Sequence, residues 1–163
     1  AIYEGTTGIH GMDLLGRKVM LQGGKGVKLL MMEVQGVIKQ AAAIEALAPM
    51  AQKLGAYAKS LHEVTLHLTQ IAMKNPPEVF LADATLYLEY FGIVTISWQW
   101  LKQAVVAQQA MAGAVGDDLT FYESKIQTCR YFFEYELPKT KGLHERLTSE
   151  ERVTIETGAD MLV

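Results

Sequence analysis

The sequence predicts an all-α fold: an antiparallel, up-down-up-down four-helix bundle preceded by one N-terminal helix. Three observations carry that expectation. Apolar residues recur in steps of three and four through four long segments. The connections between those segments are short and marked by Gly, Pro or Asn. No stretch alternates with period two for long enough to form a sheet. With 163 residues, 50% of them hydrophobic, the chain has room for one domain with a real core, and disorder is not expected.

Residues 7–22 read as a first helix, weakened by Gly11 and Gly16. Gly23-Gly24-Lys25-Gly26 then breaks the chain and is the expected domain boundary, between residues 1–22 and 27–163. It is not a phosphate-binding P-loop, because Lys25 is followed by Gly26 and Val19 stands where the first Gly is needed. Residues 27–46 form the next predicted helix, with Leu30, Val34, Val37, Ala41 and Ile44 on one face. Pro49 fits the first turn of a new helix over 47–74, whose seam is Leu54, Tyr57, Leu61, Val64, Leu68 and Ile71. Asn75-Pro76-Pro77 ends it.

The third long helix is expected over 79–112, with Tyr87, Phe91, Val94, Trp98, Leu101 and Val105 stepping by four and three. Asp117 or Asp118 caps the fourth, over 119–137, with Tyr122, Ile126, Cys129 and Phe133 on one face. Pro138 stops or kinks it, 140–147 reads as irregular, and Thr148-Ser149-Glu150-Glu151 resembles the capping start of a last short helix. Leu61, Leu68, Phe91, Trp98, Ile126 and Phe133 are expected in the core.

A net charge of −3 gives no basic field for nucleic acid. The run from Phe91 to Leu101, interrupted by Gln99, is too short to span a membrane. Cys129 is the only cysteine, so no intrachain disulfide forms, which suits a reducing, cytoplasmic setting; on a core-facing stripe it reads as a buried inert thiol. No metal site is expected. No His lies three residues after a Glu, as a di-iron bundle requires, and His62 and His67 point roughly 140° apart on their helix. Tyr131, Phe132 and Tyr135 add aromatic surface on other faces of the fourth helix, which favours a contact with another domain or subunit and a homo-oligomer.

The chemistry concentrates at the start, Ile2-Tyr3-Glu4-Gly5-Thr6-Thr7-Gly8-Ile9-His10-Gly11-Met12-Asp13-Leu14-Leu15-Gly16-Arg17-Lys18. From residue types alone, Glu-Gly-Thr-Thr before an apolar helix is an ordinary turn with Thr6 or Thr7 as N-cap and Glu4 as a solvated acid. The whole stretch, however, resembles a segment of the acyl-CoA dehydrogenases, flavoenzymes that introduce a double bond between the α and β carbons of an acyl thioester. Tyr3, Glu4, Gly5, Thr6, Gly8, Ile9, Asp13, Leu14, Gly16, Arg17 and Lys18 fit the family pattern, whereas Thr7 and His10 stand where Asn and Gln are usual. More faintly, 86–92 and 98–105 resemble the third helix, and 121–138 the fourth, of the accessory domain that follows the catalytic part in some bacterial members.

The resemblance implies that residues 1–22 are the last segment of a catalytic domain and 27–163 an accessory helical bundle. It implies Glu4 as the base that removes the α-proton, with its backbone N–H holding the thioester carbonyl beside Gly5. Thr6 and Gly8 would lie on the cofactor, FAD. The partners implied are an acyl-CoA substrate and an electron-transferring flavoprotein. The chain is far shorter than such an enzyme, so it reads as a C-terminal fragment that lacks FAD and activity alone. The rival expectation is a non-catalytic helical module serving interaction or oligomerisation.

Overall fold

The computed structural model describes residues 4–162 and contains helices and no strand among them. A 3₁₀ turn, Glu4–Thr6, leads into α1 (Thr7–Asp13), which continues as a π-helical turn, Leu14–Lys18. Then come α2 (Lys25–Ala42), α3 (Ala48–Lys74), the short α4 (Pro77–Leu81) and α5 (Ala84–Ala110). After α6 (Asp117–Tyr131) the chain passes through a π turn, Phe132–Glu136, and a 3₁₀ turn, Leu137–Lys139, into α7 (Thr140–Thr148); the one-turn α8 (Val153–Glu156) follows.

The long helices α2, α3, α5 and α6 are joined by short connections and form the up-down-up-down bundle. α5 is its centre, packing against α1, α2, α3, α6 and α7. That explains a sequence apolar on nearly every face. Its buried positions include Tyr87, Tyr90, Val94 and Leu101, together with the small Ala84, Ser97 and Ala104 that let neighbouring helices approach.

Helix starts and stops follow the local chemistry where it is strong. Gly23 and Gly24 adopt φ of 66° and 81°, a left-handed conformation that glycine enters without a Cβ penalty, and the chain turns there into α2. Pro49 sits in the first turn of α3, and Asn75 ends that helix in an extended conformation before Pro76.

Five expectations need correction. The first helix leaves regular geometry after Asp13, and α2 ends at Ala42 rather than 46. The expected helix over 79–112 breaks at 82–83, where the Asp83 carboxylate is held by Arg146 through Nε at 3.1 Å and Nη2 at 2.8 Å. The segment expected to be irregular is α7: Thr140 and Leu147 are buried and Leu143 packs on the core, a three- and four-residue stripe obscured by Pro138 and Gly142. Of the predicted core residues, Leu61, Leu68 and Phe133 are buried, while Phe91, Trp98 and Ile126 lie half-buried at its margin. Cys129 is fully buried beside Met50, and burial raises its thiol pKa to about 12, so it is an inert core group.

Candidate functional site

The segment singled out by its sequence is held to the bundle by its glycines. A Cβ built on Gly11 would lie 2.7 Å from the Ala84 carbonyl oxygen and 3.0 Å from the Thr85 nitrogen. No other residue lets α1 cross the first turn of α5 this closely. A Cβ on Gly16 would meet Leu81 Cδ2 at 3.3 Å, so the π turn rests on α4. Leu15 and Val19 complete the attachment as members of the bundle core. The core is therefore continuous across the turn at residues 23–26.

The polar face of the same segment pairs with itself. Asp13 accepts from Arg17 Nε one turn on, with Lys18 Nζ at 3.3 Å. The Arg17 hydrogen bond holds the Asp13 carboxyl below its ordinary pKa, with Lys18 adding to it and desolvation opposing both. An acid preceding a base by four residues is the favourable order on a helix. The Asp-Leu-x-Gly-Arg-Lys pattern thus supplies an ion pair within the segment and, at Gly16, a close approach that serves attachment.

The predicted site residues lie at the free end of this attached segment. Glu4 opens the 3₁₀ turn, though its side chain, like the whole of Tyr3, falls outside the described residues. Gly5 and Thr6 are exposed, Gly8 is half-buried and His10 is exposed. Thr6 occupies the N-cap position of α1 without making the side-chain capping bond. Cβ atoms on Gly5 or Gly8 would meet nothing within 4 Å, so a flat group could approach the backbone here unobstructed. The described residues supply one wall for such a group: exposed backbone at a helix start, with no opposing wall.

Two larger clefts lie elsewhere, and residues 5–10 line neither. One, of about 350 Å³, runs between the end of α3, α4 and residues 149–155; His67, whose Nε2 is buried without a partner among the described residues, lies on it. The other, of about 610 Å³, lies between α2 and α3 and includes His62. The two histidines therefore face different clefts, and the described residues hold no group of three His, Cys, Asp or Glu side chains placed to share a metal. No described helix is long and apolar enough to cross a membrane. Sequence reasoning missed the roles of Gly11 and Gly16, taking them as weak points of a helix. Their spacing of five places both beside the bundle only because the intervening turn is π-helical.

The chain matches known proteins over most of its length. A family model described as acetyl-CoA dehydrogenase C-terminal like matches residues 30–157. The chain is 32% identical over 152 residues to a 3-methylmercaptopropionyl-CoA dehydrogenase from Ruegeria pomeroyi, covering 90% of this chain and 25% of the relative. It is 27% identical over 151 residues to a broad-specificity linear acyl-CoA dehydrogenase from Mycobacterium tuberculosis, covering 89% of this chain and 25% of the relative. It thus spans about a quarter of the length of the curated relatives it matches.

Proposed function

The chain belongs to the acetyl-CoA dehydrogenase C-terminal-like family, and we propose that it forms the C-terminal part of a flavin-dependent acyl-CoA dehydrogenase in which Glu4 is the catalytic base. The observation that carries this reading is the presentation of the Glu4–Thr6 turn: anchored through Gly11 to Ala84, exposed at Gly5 and Thr6, and open beside Gly5 and Gly8.

In this reading the Glu4 carboxylate takes the α-proton of an acyl-CoA thioester. A weakly acidic C–H needs both a positioned base and a donor for the developing enolate oxygen, and the Glu4 backbone N–H supplies the latter. Gly5 lets the substrate pass close to the main chain. Thr6 and Gly8 would lie against an FAD, which when bound would supply the acceptor for the hydride of the β carbon. The electrons leave to an electron-transferring flavoprotein. The enzyme works as a homo-oligomer in the cytoplasm. The bundle's part is to fix the angle at which the motif segment enters a site whose other walls belong to preceding domains.

The test compares this 163-residue chain with an acyl-CoA dehydrogenase that contains it. The chain alone is expected to purify colourless and to oxidise no acyl-CoA with added flavin and an artificial electron acceptor. The longer enzyme is expected to be yellow and active. Stoichiometric flavin on the short chain would contradict the one-walled site, and an inactive, flavin-free longer protein would favour a purely structural module.

A further inference from the structure

The groove between α2 and α3 has a built shape and a charge bias of its own. Its volume, about 610 Å³, lies within the roughly 300–1,000 Å³ usual for small-molecule pockets. Val27 and Met31 of α2 face Ala58 and Leu66 of α3 across it. From Ala58 to Thr69 it runs about 16 Å at the helical rise of 1.5 Å per residue. One end is stopped by Val19 and Met20 with the Gly23–Gly24 turn, and the Thr69 hydroxyl meets the Met20 sulfur at 3.7 Å, fixing that wall.

The rim carries two lysine charges. Lys28, Lys59 and His62 line the groove and no Asp or Glu does, although the chain as a whole carries −3. Lys28 makes no ion pair among the described residues, and Lys59 has only an exposed one with Glu63 at 3.7 Å. We propose that this groove binds an anionic amphiphile, its hydrocarbon chain along the Val27–Met31–Leu66 walls and its carboxylate or phosphate held by the Lys28, Lys59 and His62 rim. An amphipathic helix is about 10–12 Å across with side chains, and the Val19–Met20 wall blocks its path along the groove; a slender chain stops there without clash. The site shares no residue with the Glu4–Gly8 segment and needs no flavin, so its fate is independent of the dehydrogenase reading.

The experiment is calorimetric titration of this 163-residue chain with dodecanoate and with dodecyl phosphate below their micelle-forming concentrations, with dodecanol as the uncharged comparison. One-to-one binding of at least one anion is expected, about tenfold or more tighter than dodecanol. Which anion binds identifies the head group. Lys28→Glu combined with Lys59→Gln should weaken binding about tenfold or more with unchanged melting, and Val27→Trp, which fills the groove, should abolish it. Leu66→Glu, which puts a negative charge on the exposed lip, provides a second block if Val27→Trp does not fold. Absence of binding, equal binding of dodecanol, or binding that survives all of these variants overturns the proposal. So does binding of an acidic amphipathic peptide in place of either anion, which would make the groove a helix-docking surface.

Discussion

Gly11 lies so close to Ala84 that a methyl group on it would sit 2.7 Å from the Ala84 carbonyl oxygen. This contact seats the motif segment on the bundle, and it predicts opposite signs for two similar substitutions. Gly11→Ala forces α1 off α5, an overpacking cost of about 1–3 kcal/mol against a gain in helix propensity of about 0.5–1 kcal/mol; net destabilisation is expected. Gly8→Ala meets nothing within 4 Å and should stabilise by a few tenths to about 1 kcal/mol. Urea unfolding measures both. A Gly11→Ala protein as stable as the wild type would place α1 away from Ala84.

Tyr87 and Thr65 form a buried hydrogen-bonded chain inside the bundle. The Thr65 hydroxyl donates to the Leu61 carbonyl at 2.8 Å and so accepts from the Tyr87 hydroxyl at 2.8 Å. Burial, only partly offset by the Thr65 hydrogen bond, raises the Tyr87 pKa to about 12. Tyr87→Phe should cost about 1–2 kcal/mol by leaving Thr65 short of a donor. Combining it with Thr65→Val should cost less than the sum of the two single changes. Strict additivity in urea melts would contradict the shared bond.

Asp13 should titrate below its ordinary value of 3.8 because of Arg17 first and Lys18 second. A depressed folded-state pKa contributes stability above the unfolded value and loses it as pH falls through the folded one. Carboxyl NMR titration should show the shift in the wild type and its collapse in Arg17→Met. High salt should shrink it as well, because the pair is exposed. An Asp13 titration unchanged in Arg17→Met would refute the pairing.

Arg146 ties the C-terminal segment to the α4–α5 corner, through Asp83 at 2.8 Å and the Glu151 carbonyl at 2.8 Å. Arg146→Met should lose about 1–2 kcal/mol, the lower part of the range for charged hydrogen bonds, since the pair is partly solvated. Limited proteolysis should then cut near residues 150–156 first. Resistance equal to the wild type would mean the segment is held by packing alone.

The bundle was legible where periodicity and breakers agree. α3 announces itself by Pro49, its seam and Asn75-Pro76, and Leu61, Leu68 and Phe133 are buried as their spacing implies. α5 was harder, because a helix apolar all round has no single phase. Its true interface runs through Ser97, Ala104 and Ala84, while Phe91 and Trp98 stay at the margin. The break at Asp83 and the existence of α7 depend on the Arg146–Asp83 pair and on Leu147 reaching the core, tertiary contacts 63 residues apart in sequence in the case of the pair. The motif was legible as a pattern, but its attachment was not, since nothing local distinguishes a glycine that weakens a helix from one that lets two helices cross.

The central claim is that Glu4 removes the α-proton, and anaerobic single-turnover reduction of the bound flavin by acyl-CoA tests it most directly. The comparison is Glu4→Gln against His10→Gln in an acyl-CoA dehydrogenase containing this chain. Glu4→Gln keeps the size and the backbone N–H, so flavin content and acyl-CoA affinity should stay near normal. General bases typically contribute about 10²–10⁴-fold, so the reduction rate should fall by at least that order, while His10→Gln changes it little. Reduction of the Glu4→Gln enzyme at close to the wild-type rate would contradict the account and place the base on another residue.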